Sequence, residues 1–232
     1  AYNVTWKSTN FKTVLTWEPK PSADYSYTVE FFRAGQDRRR SPLCVRSSAT
    51  QCDLSGALSS LTSSYTADVL SEPPLGEPSE GSEAPHQSSP RFCPYNDILG
   101  SPLNAPKREP ASCFLSACPA AEIGKPDFKL EVSEDQRKTT LFVSDPLTAL
   151  FKDGRQLTLR DVFADKLMYK VTYRKNRSTG KKEHVSQSSV IELAALDRGR
   201  SYCFSVQAFI PSRAYSKQLG EQSHVQCSQE EA

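Results

Sequence analysis

Alternating apolar and polar residues recur through the N-terminal third of the chain. In residues 11–19, "FKTVLTWEP", Phe11, Thr13, Leu15 and Trp17 fall on one face before Pro19 ends the pattern. Residues 25–32 and 61–71 alternate in the same way. Alternation of this length, interrupted by Pro and Gly, is typical of half-buried antiparallel β-strands.

The C-terminal half repeats this pattern with one helical exception. Four further segments predict strands: 138–146, 167–175, 188–193 and 201–210. The segment 158–167, "TLRDVFADKL", predicts the chain's helix, with Thr158 or Asp161 as its N-cap.

Each half places a leucine a few residues before a tyrosine that opens a strand, Leu61 with Tyr65 and Leu196 with Tyr202. This spacing is typical of the tyrosine corner of Greek-key sandwiches. We therefore predict an all-β chain of two tandem fibronectin type III-like Greek-key sandwiches. Their expected limits are 1–97 and 123–229, with the last strand of the first domain near 91–95. The Pro/Ser-rich segment 98–122 is expected to be a disordered interdomain linker insertion.

The chain contains seven cysteines and no Cys-x-x-Cys pair, which favours an oxidising compartment. Spacing predicts disulfides Cys44–Cys52 and Cys203–Cys227, leaving Cys93, Cys113 and Cys118. We expect Cys113 and Cys118 to be free or joined to each other. Asn3-Val4-Thr5 and Asn176-Arg177-Ser178 are N-glycosylation sequons, which fit an extracellular protein.

Charge and motifs exclude several function classes. The formal net charge is only +2, which argues against a nucleic-acid partner. No run of about 18 apolar residues is present, and we expect a chain trimmed at both ends. The three histidines lie outside any catalytic or metal-binding motif. We therefore expect no enzyme activity, no catalytic residue, no metal site and no cofactor.

One basic cluster stands out, "YRKNRSTGKKEHV" at 173–185. It has four readings: a phosphate-binding loop, a nucleic-acid patch, a docking surface or a solvated turn. The first is excluded, because the glycine expected upstream is missing and the segment joins two predicted strands rather than a strand and a helix. We predict a hairpin tip with its turn at Thr179-Gly180.

Long runs of the chain carry a family resemblance. They are "YNVTWKSTNFKTVLTWEPKP" (2–21), "CVRSSATQCDL" (44–54), "LRDVFADKLMYKVTYRK" (159–175), "STGKKE" (178–183) and "YCFSVQAFIPSR" (202–213). Through these runs the chain resembles the class II cytokine receptors, and among them the branch that initiates blood clotting.

The resemblance implies two fibronectin type III domains with one disulfide each. It also implies a single-pass type I protein at the cell surface, whose membrane helix follows this extracellular chain. The implied role is non-enzymatic. Such a receptor binds factor VII or activated factor VII and promotes activation of factors X and IX on an anionic phospholipid membrane.

The resemblance assigns residues to two surfaces. Lys12, Val14 and Asp53 match factor VII contacts. A substrate and membrane exosite is matched by Tyr173, Lys175, Gly180, Lys181, Lys182 and Tyr202. Residues that depart from the family's contact types are Thr16, Arg40, Leu70, Glu72, His86, Gln156 and Arg174. An acidic residue is expected at Thr16 and an aromatic residue at the other six positions.

Other interpretations remain open. By pattern alone, Lys12 is a solvated strand residue and Asp53 caps a turn. The same fold also suits a class II cytokine receptor chain that binds a helical interferon-like ligand. A decoy or adhesion module is a third, less specific reading.

Overall fold

The computed structural model describes residues 1–19, 24–76, 85–96, 118–194 and 196–229. Its chain divides into two compact units, Ala1–Ala121 and Glu122–Ala232.

The first unit is built from antiparallel strands in two sheets with the orders β1-β2-β5 and β4-β3-β6-β7. The strands are β1 Tyr2–Thr9, β2 Lys12–Glu18, β3 Ser26–Arg33, β4 Arg39–Arg40, β5 Gln51–Asp53, β6 Tyr65–Glu72 and β7 His86–Ser88.

The second unit has sheets of order β14-β9-β8 and β13-β12-β15-β16, with β10 and β11 forming a separate hairpin. Its elements are β8 Asp127–Val132, β9 Thr139–Ser144, β10 Leu147–Lys152, β11 Arg155–Thr158, α1 Leu159–Phe163, β12 Met168–Lys175, β13 Lys181–Ser186, β14 Val190–Leu193, β15 Tyr202–Phe209 and β16 Gln226–Cys227. The predicted all-β class is confirmed.

The apolar face predicted for 11–19 forms part of the first core. Leu15 and Trp17 are buried, and Phe11 and Thr13 are buried beside them. Trp6 stacks on Phe92 with 4.9 Å between ring centroids. Since fully burying a large apolar side chain contributes about 1.5–3 kcal/mol, a strand with several such residues is held firmly in register.

Both predicted tyrosine corners are present. The Tyr65 hydroxyl donates to the Ser60 carbonyl at 2.8 Å and accepts from the Ser60 amide at 2.9 Å. The Tyr202 hydroxyl accepts from the Asp197 amide at 3.0 Å. Each phenol therefore satisfies the backbone of the turn that leads into its own strand.

The disulfides Cys44–Cys52 and Cys203–Cys227 are both confirmed. Cys203 and Cys227 are direct cross-strand partners on β15 and β16, with 4.0 Å between their Cα atoms. Cys93 also takes part in a disulfide. Cys118 carries a thiol and is not part of a disulfide, so the predicted alternative that joins it to Cys113 is wrong. Cys113 itself lies outside the described residues, and its state stays a prediction.

Residues 91–95 do not form the last strand of the first unit. That position is taken by β7, and Phe92 makes only an isolated bridge to Tyr65. Pro90 and Pro94 flank this bridge, and proline has no amide proton for a ladder hydrogen bond. Extension of the strand is therefore blocked on both sides.

Part of the predicted linker is visible. The described residues 118–121 lie against the first unit, where the Cys93 amide donates to the Pro119 carbonyl at 2.9 Å. The Ala121 amide donates to the Pro94 carbonyl at 3.1 Å, and Ala121 is buried. The remainder of the predicted insertion, 98–117, lies outside the described residues.

The predicted helix is present but shorter than expected. Thr158 caps α1 in a capping box with Asp161, as its position suggested. The α-helix ends after Phe163 because Ala164 takes a positive φ of 52°. A 3₁₀ turn, Ala164–Lys166, then leads into β12.

The first tyrosine corner leads to a stability prediction. Tyr65→Phe leaves the Ser60 amide and carbonyl without their partner, which should lower the free energy of unfolding by about 1–3 kcal/mol. Both tryptophans, Trp6 and Trp17, lie in the first unit, so tryptophan fluorescence during urea unfolding reports that unit selectively. Tyr215→Phe is the control, because Tyr215 is 91% exposed and lies in the second unit. Equal midpoints for Tyr65→Phe and the parent protein would contradict this role.

Candidate interaction surfaces

The three residues matched to factor VII contacts lie together on the first unit. Lys12 and Val14 alternate with the buried Thr13 and Leu15 along β2, so they occupy the solvent-facing side of the sheet. The register pairs Val14 with Asp53 on β5. Lys12, Val14 and Asp53 are called the first surface below.

An ion pair organises the first surface. The Lys12 ammonium contacts the Asp53 carboxylate, with side chains 60% and 41% exposed. Asp53 also accepts from the Ser55 amide at 2.9 Å and from the Ser55 hydroxyl at 2.6 Å, so it does cap a turn. Partial burial alone would raise the pKa of Asp53, but the hydrogen bonds from Lys12 and Ser55 outweigh it and lower the pKa.

Several residues that depart from the family's contact types lie on the other sheet of the same unit. Leu70, Glu72 and His86 belong to β6 and β7, with Leu70 paired to His86. Arg40 on β4 binds Glu30 at 3.2 Å, and Glu72 binds Arg46 at 3.6 Å. This face therefore carries arginine–carboxylate ion pairs.

Strand alternation divides the predicted exosite between two faces of one sheet. Cross-strand partners share a face, and Tyr173 pairs with Lys182 on β13, while Lys175 pairs with Tyr202 on β15. These four residues share one face and are called the second surface. Lys181 pairs with Arg174 and lies on the opposite face.

Aromatic packing and an ion pair shape the second surface. Tyr173 stacks on Phe204 at 5.9 Å and lies 6.4 Å from Tyr202, between ring centroids. Lys175 forms an ion pair with Asp197. The hydrogen bond from Lys175, together with the charges of Lys175 and Lys182, lowers the pKa of Asp197.

Lys181 belongs to a different site. With Arg174 it lines a cleft of about 180 Å³ on the opposite face, beside Cys203 of the disulfide. Ser205 and Gln222 supply polar groups to this cleft. The separation of Lys181 from Lys182 could have been predicted from the sequence, since adjacent residues of a strand point to opposite faces of the sheet.

The hairpin turn is longer than the predicted Thr179-Gly180 pair. Strand β12 ends at Lys175 and strand β13 begins at Lys181, so residues 176–180 form the connection. Gly180 is exposed, and its amide donates to the Ser178 hydroxyl at 3.3 Å. The Asn176 sequon lies in this connection, whereas the Asn3 sequon lies on β1, where Asn3 donates to Glu18 at 3.1 Å. Glycosylation at both asparagines stays a prediction.

Within the described residues, no helix is long and apolar enough to cross a bilayer. The same residues contain no group of three or more His, Cys, Asp or Glu side chains arranged to hold a metal ion.

Known proteins match this chain in both sequence and fold. The family described as interferon-alpha/beta receptor, fibronectin type III, matches residues 121–231, and the tissue factor family matches residues 1–80. A solved chicken interferon gamma receptor alpha chain is similar at a TM-score of 0.63 with 19% identity, covering 97% of this chain and 95% of that one. A two-domain fibronectin type III segment of chicken tenascin has a TM-score of 0.50 with 11% identity, covering 97% and 96%.

Sequence relatives are more specific. Tissue factor of Mus musculus is 36% identical over 222 residues, covering 92% of this chain and 66% of the relative. Tissue factor of Oryctolagus cuniculus is 35% identical over 234 residues, covering 100% and 70%. Interleukin-10 receptor subunit beta of Mus musculus is 27% identical over 211 residues, covering 89% and 48%.

Two fibronectin type III-like units with these matches define a receptor of the class II cytokine receptor family. Within that class, the chain belongs to the tissue factor family, on the strength of its identity over its full length. It spans 66 to 70% of the length of the two tissue factors compared.

The Asp53 ion pair leads to a pH prediction. Because the folded-state pKa of Asp53 is lowered, the pair stabilises the fold above the unfolded pKa of about 3.9, and this contribution is lost as the pH falls through the folded value. Asp53→Asn should therefore cost up to about 1 kcal/mol at pH 7, since the pair is solvent-screened. The cost should shrink in strong acid.

Urea unfolding followed by tryptophan fluorescence, at pH 7 and again in strong acid, measures the cost of Asp53→Asn in free energy of unfolding under each condition. Asp24→Asn is the matched control, because Asp24 is exposed in the same unit and no ion pair joins it to another described residue. A cost for Asp53→Asn that does not change with pH would show that the ion pair is not its source.

Proposed function

We propose that this chain is the extracellular part of a single-pass type I receptor at the cell surface. It binds factor VII or activated factor VII and promotes proteolytic activation of factors X and IX, which initiates blood coagulation. The observation that carries the proposal is 35–36% identity to tissue factors, together with Lys12, Val14 and Asp53 meeting on one exposed surface.

The proposed mechanism is positioning rather than chemistry. The chain supplies no catalytic group, and the bound protease cleaves the substrate. In this proposal the first surface binds the protease and the second unit binds its substrate, which raises the rate through proximity and orientation. Ordering of the protease's active conformation adds to this effect.

The second unit supplies the charges for the substrate and the membrane. Lys181 and Lys182 are exposed and project from opposite faces of an edge strand. Each lysine near an anionic phospholipid surface contributes about 1 kcal/mol, and salt weakens the interaction. Lys175 is the lesser contributor, because Asp197 already neutralises it.

The first surface is tested by factor VII binding. Lys12→Ala and Asp53→Ala should each weaken binding by about tenfold if they are central contacts. Surface plasmon resonance with factor VII of the same species measures this, and Lys129→Ala is the control, because Lys129 is an exposed lysine on β8. Unchanged affinity in both variants would contradict the assignment.

Mammalian factor VII should bind this chain more weakly than factor VII of the same species does, since Arg40, Leu70 and Glu72 occupy positions where the family resemblance leads us to expect aromatic contacts. Equal affinity for the two would contradict this prediction.

The exosite is tested by charge reversal. Lys181→Glu with Lys182→Glu should slow factor X activation on phosphatidylserine vesicles by about tenfold or more, from the loss of two favourable charges. Factor VII binding should be unchanged. The control, Lys129→Glu with Lys152→Glu, reverses two other exposed lysines of the second unit. Parallel loss of factor VII binding and factor X activation would overturn the assignment of the exosite.

A class II cytokine receptor chain that binds a helical interferon-like ligand is the second candidate. The match of residues 121–231 to an interferon receptor family and the likeness to an interferon gamma receptor favour it. A clotting assay separates the two functions. Relipidated full-length protein should shorten clotting of same-species plasma in a factor VII-dependent manner, and no shortening would favour the cytokine receptor.

A further inference from the structure

The segment that enters and follows β4 is rich in arginine. Its members are Arg33, Arg38, Arg39, Arg40 and Arg46. Neither the first nor the second surface includes these residues, and only Arg40 among them stands at a position that the family resemblance assigns to a factor VII contact.

Three of these arginines already have carboxylate partners. Arg38 binds the buried Asp68 at 2.8 Å, and its guanidinium also lies 5.2 Å from the centre of the Phe32 ring. Arg40 and Arg46 bind Glu30 and Glu72. These pairs hold the segment against the outer face of the sheet and neutralise most of its charge.

Arg33 and Arg39 differ from the others. Among the described residues, no acidic side chain forms an ion pair with either guanidinium. Both line one small cleft of about 90 Å³, together with Gln36, Asp37, Phe31 and Tyr65. The strand registers bring the two arginines to the same cleft, since Arg39 pairs with Phe31 and Arg33 pairs with Tyr65.

The cleft suits a single oxyanion. Two planar guanidinium groups offer forked donors that match sulfate or carboxylate oxygens, and Gln36 adds an amide. Asp37 also lines the cleft and opposes an anion, but the two arginines outnumber it. Phe31 and Tyr65 exclude water from one side, which strengthens a charge-assisted contact.

The surroundings favour a chain of anions over an isolated ion. Arg38, which directly precedes β4, and Arg40 within β4 flank Arg39, and their side chains are 51% and 55% exposed. Because successive side chains of a strand alternate, Arg39 faces the cleft while its neighbours face the other side of this edge strand. A flexible polyanion that lies along this edge strand can contact Arg39 on one side and Arg38 and Arg40 on the other. Disulfide bonds place the chain in an extracellular environment, where sulfated polysaccharides are the polyanions at hand.

We propose that Arg33 and Arg39 form the anchoring site for a sulfated glycosaminoglycan on the first unit. One sulfate occupies the cleft, and neighbouring sulfates contact the exposed guanidinium edges of Arg38 and Arg40, each of which has more N–H donors than its carboxylate partner uses. The site lies apart from the Lys12–Asp53 pair, which belongs to the other sheet of this unit.

Surface plasmon resonance with a heparin decasaccharide in about 0.15 M salt tests the proposal. Arg33→Ala with Arg39→Ala should weaken binding by about tenfold or more, since two charge-assisted sets of hydrogen bonds are lost. Chemically desulfated heparin should not bind the parent protein. Lys129→Ala with Lys152→Ala is the matched control, because it removes the same charge from two exposed lysines of the second unit, and its affinity for heparin should stay within about twofold of the parent.

A lysine variant separates guanidinium recognition from charge and from folding. Arg33→Lys with Arg39→Lys keeps the charge and the aliphatic stems, so it should unfold at the parent's urea midpoint yet bind heparin more weakly. Factor VII binding should be unchanged in both cleft variants, which distinguishes failure here from failure of the coagulation proposal.

Three results would overturn the site. They are no heparin binding by the parent protein, a larger loss in the Lys129/Lys152 control than in the Arg33/Arg39 variant, or full affinity in the lysine variant. If the Arg33→Ala with Arg39→Ala variant bound phosphatidylserine vesicles more weakly than the parent protein but bound heparin equally well, the cleft would be assigned to a membrane surface instead.

Discussion

The alternation of side chains between the two faces of a strand is the constraint on which both units depend. A strand with one apolar face has a single register that buries this face, and a shift by one residue would expose it. In β2 this rule buries Leu15 and Trp17 and thereby directs Lys12 and Val14 to solvent. The same rule separates Lys181 from Lys182, although they are adjacent in sequence. Core packing therefore determines where the functional side chains point.

Charge pairing then decides which cations remain available to a partner. Lys175 forms an ion pair with Asp197, whereas Lys182 lies opposite Tyr173 across the strands and acts on Asp197 only through its charge. In the arginine-rich segment, Arg38 is held by a buried carboxylate, while Arg39 faces an open cleft. A count of basic residues therefore overstates the cationic surface, because surface pairs screen one another and contribute little alone.

Local pattern was sufficient where the signal was strong. The tyrosine corners at Tyr65 and Tyr202 and the capped helix at Thr158 follow from short-range spacing, and all are present. Strands with weaker signals were not predicted. β13, "KKEHVS", is an exposed edge strand without an apolar face, so hydrophobic alternation cannot reveal it. Residues 91–95 showed the opposite error, because the flanking prolines block a ladder that the apolar residues suggested.

The sequence by itself determined the all-β class, the two-unit organisation, the disulfides Cys44–Cys52 and Cys203–Cys227, and the identity of the residues on the first surface. These features depend on alternation, spacing and resemblance, which are local or carried by long matching runs. Only the tertiary structure decided that Val14 meets Asp53, that Lys181 joins Arg174 rather than Tyr173, and that Arg33 and Arg39 share a cleft. The reason is physical: such neighbours belong to different strands, and cross-strand register arises from the packing of whole sheets rather than from any one segment.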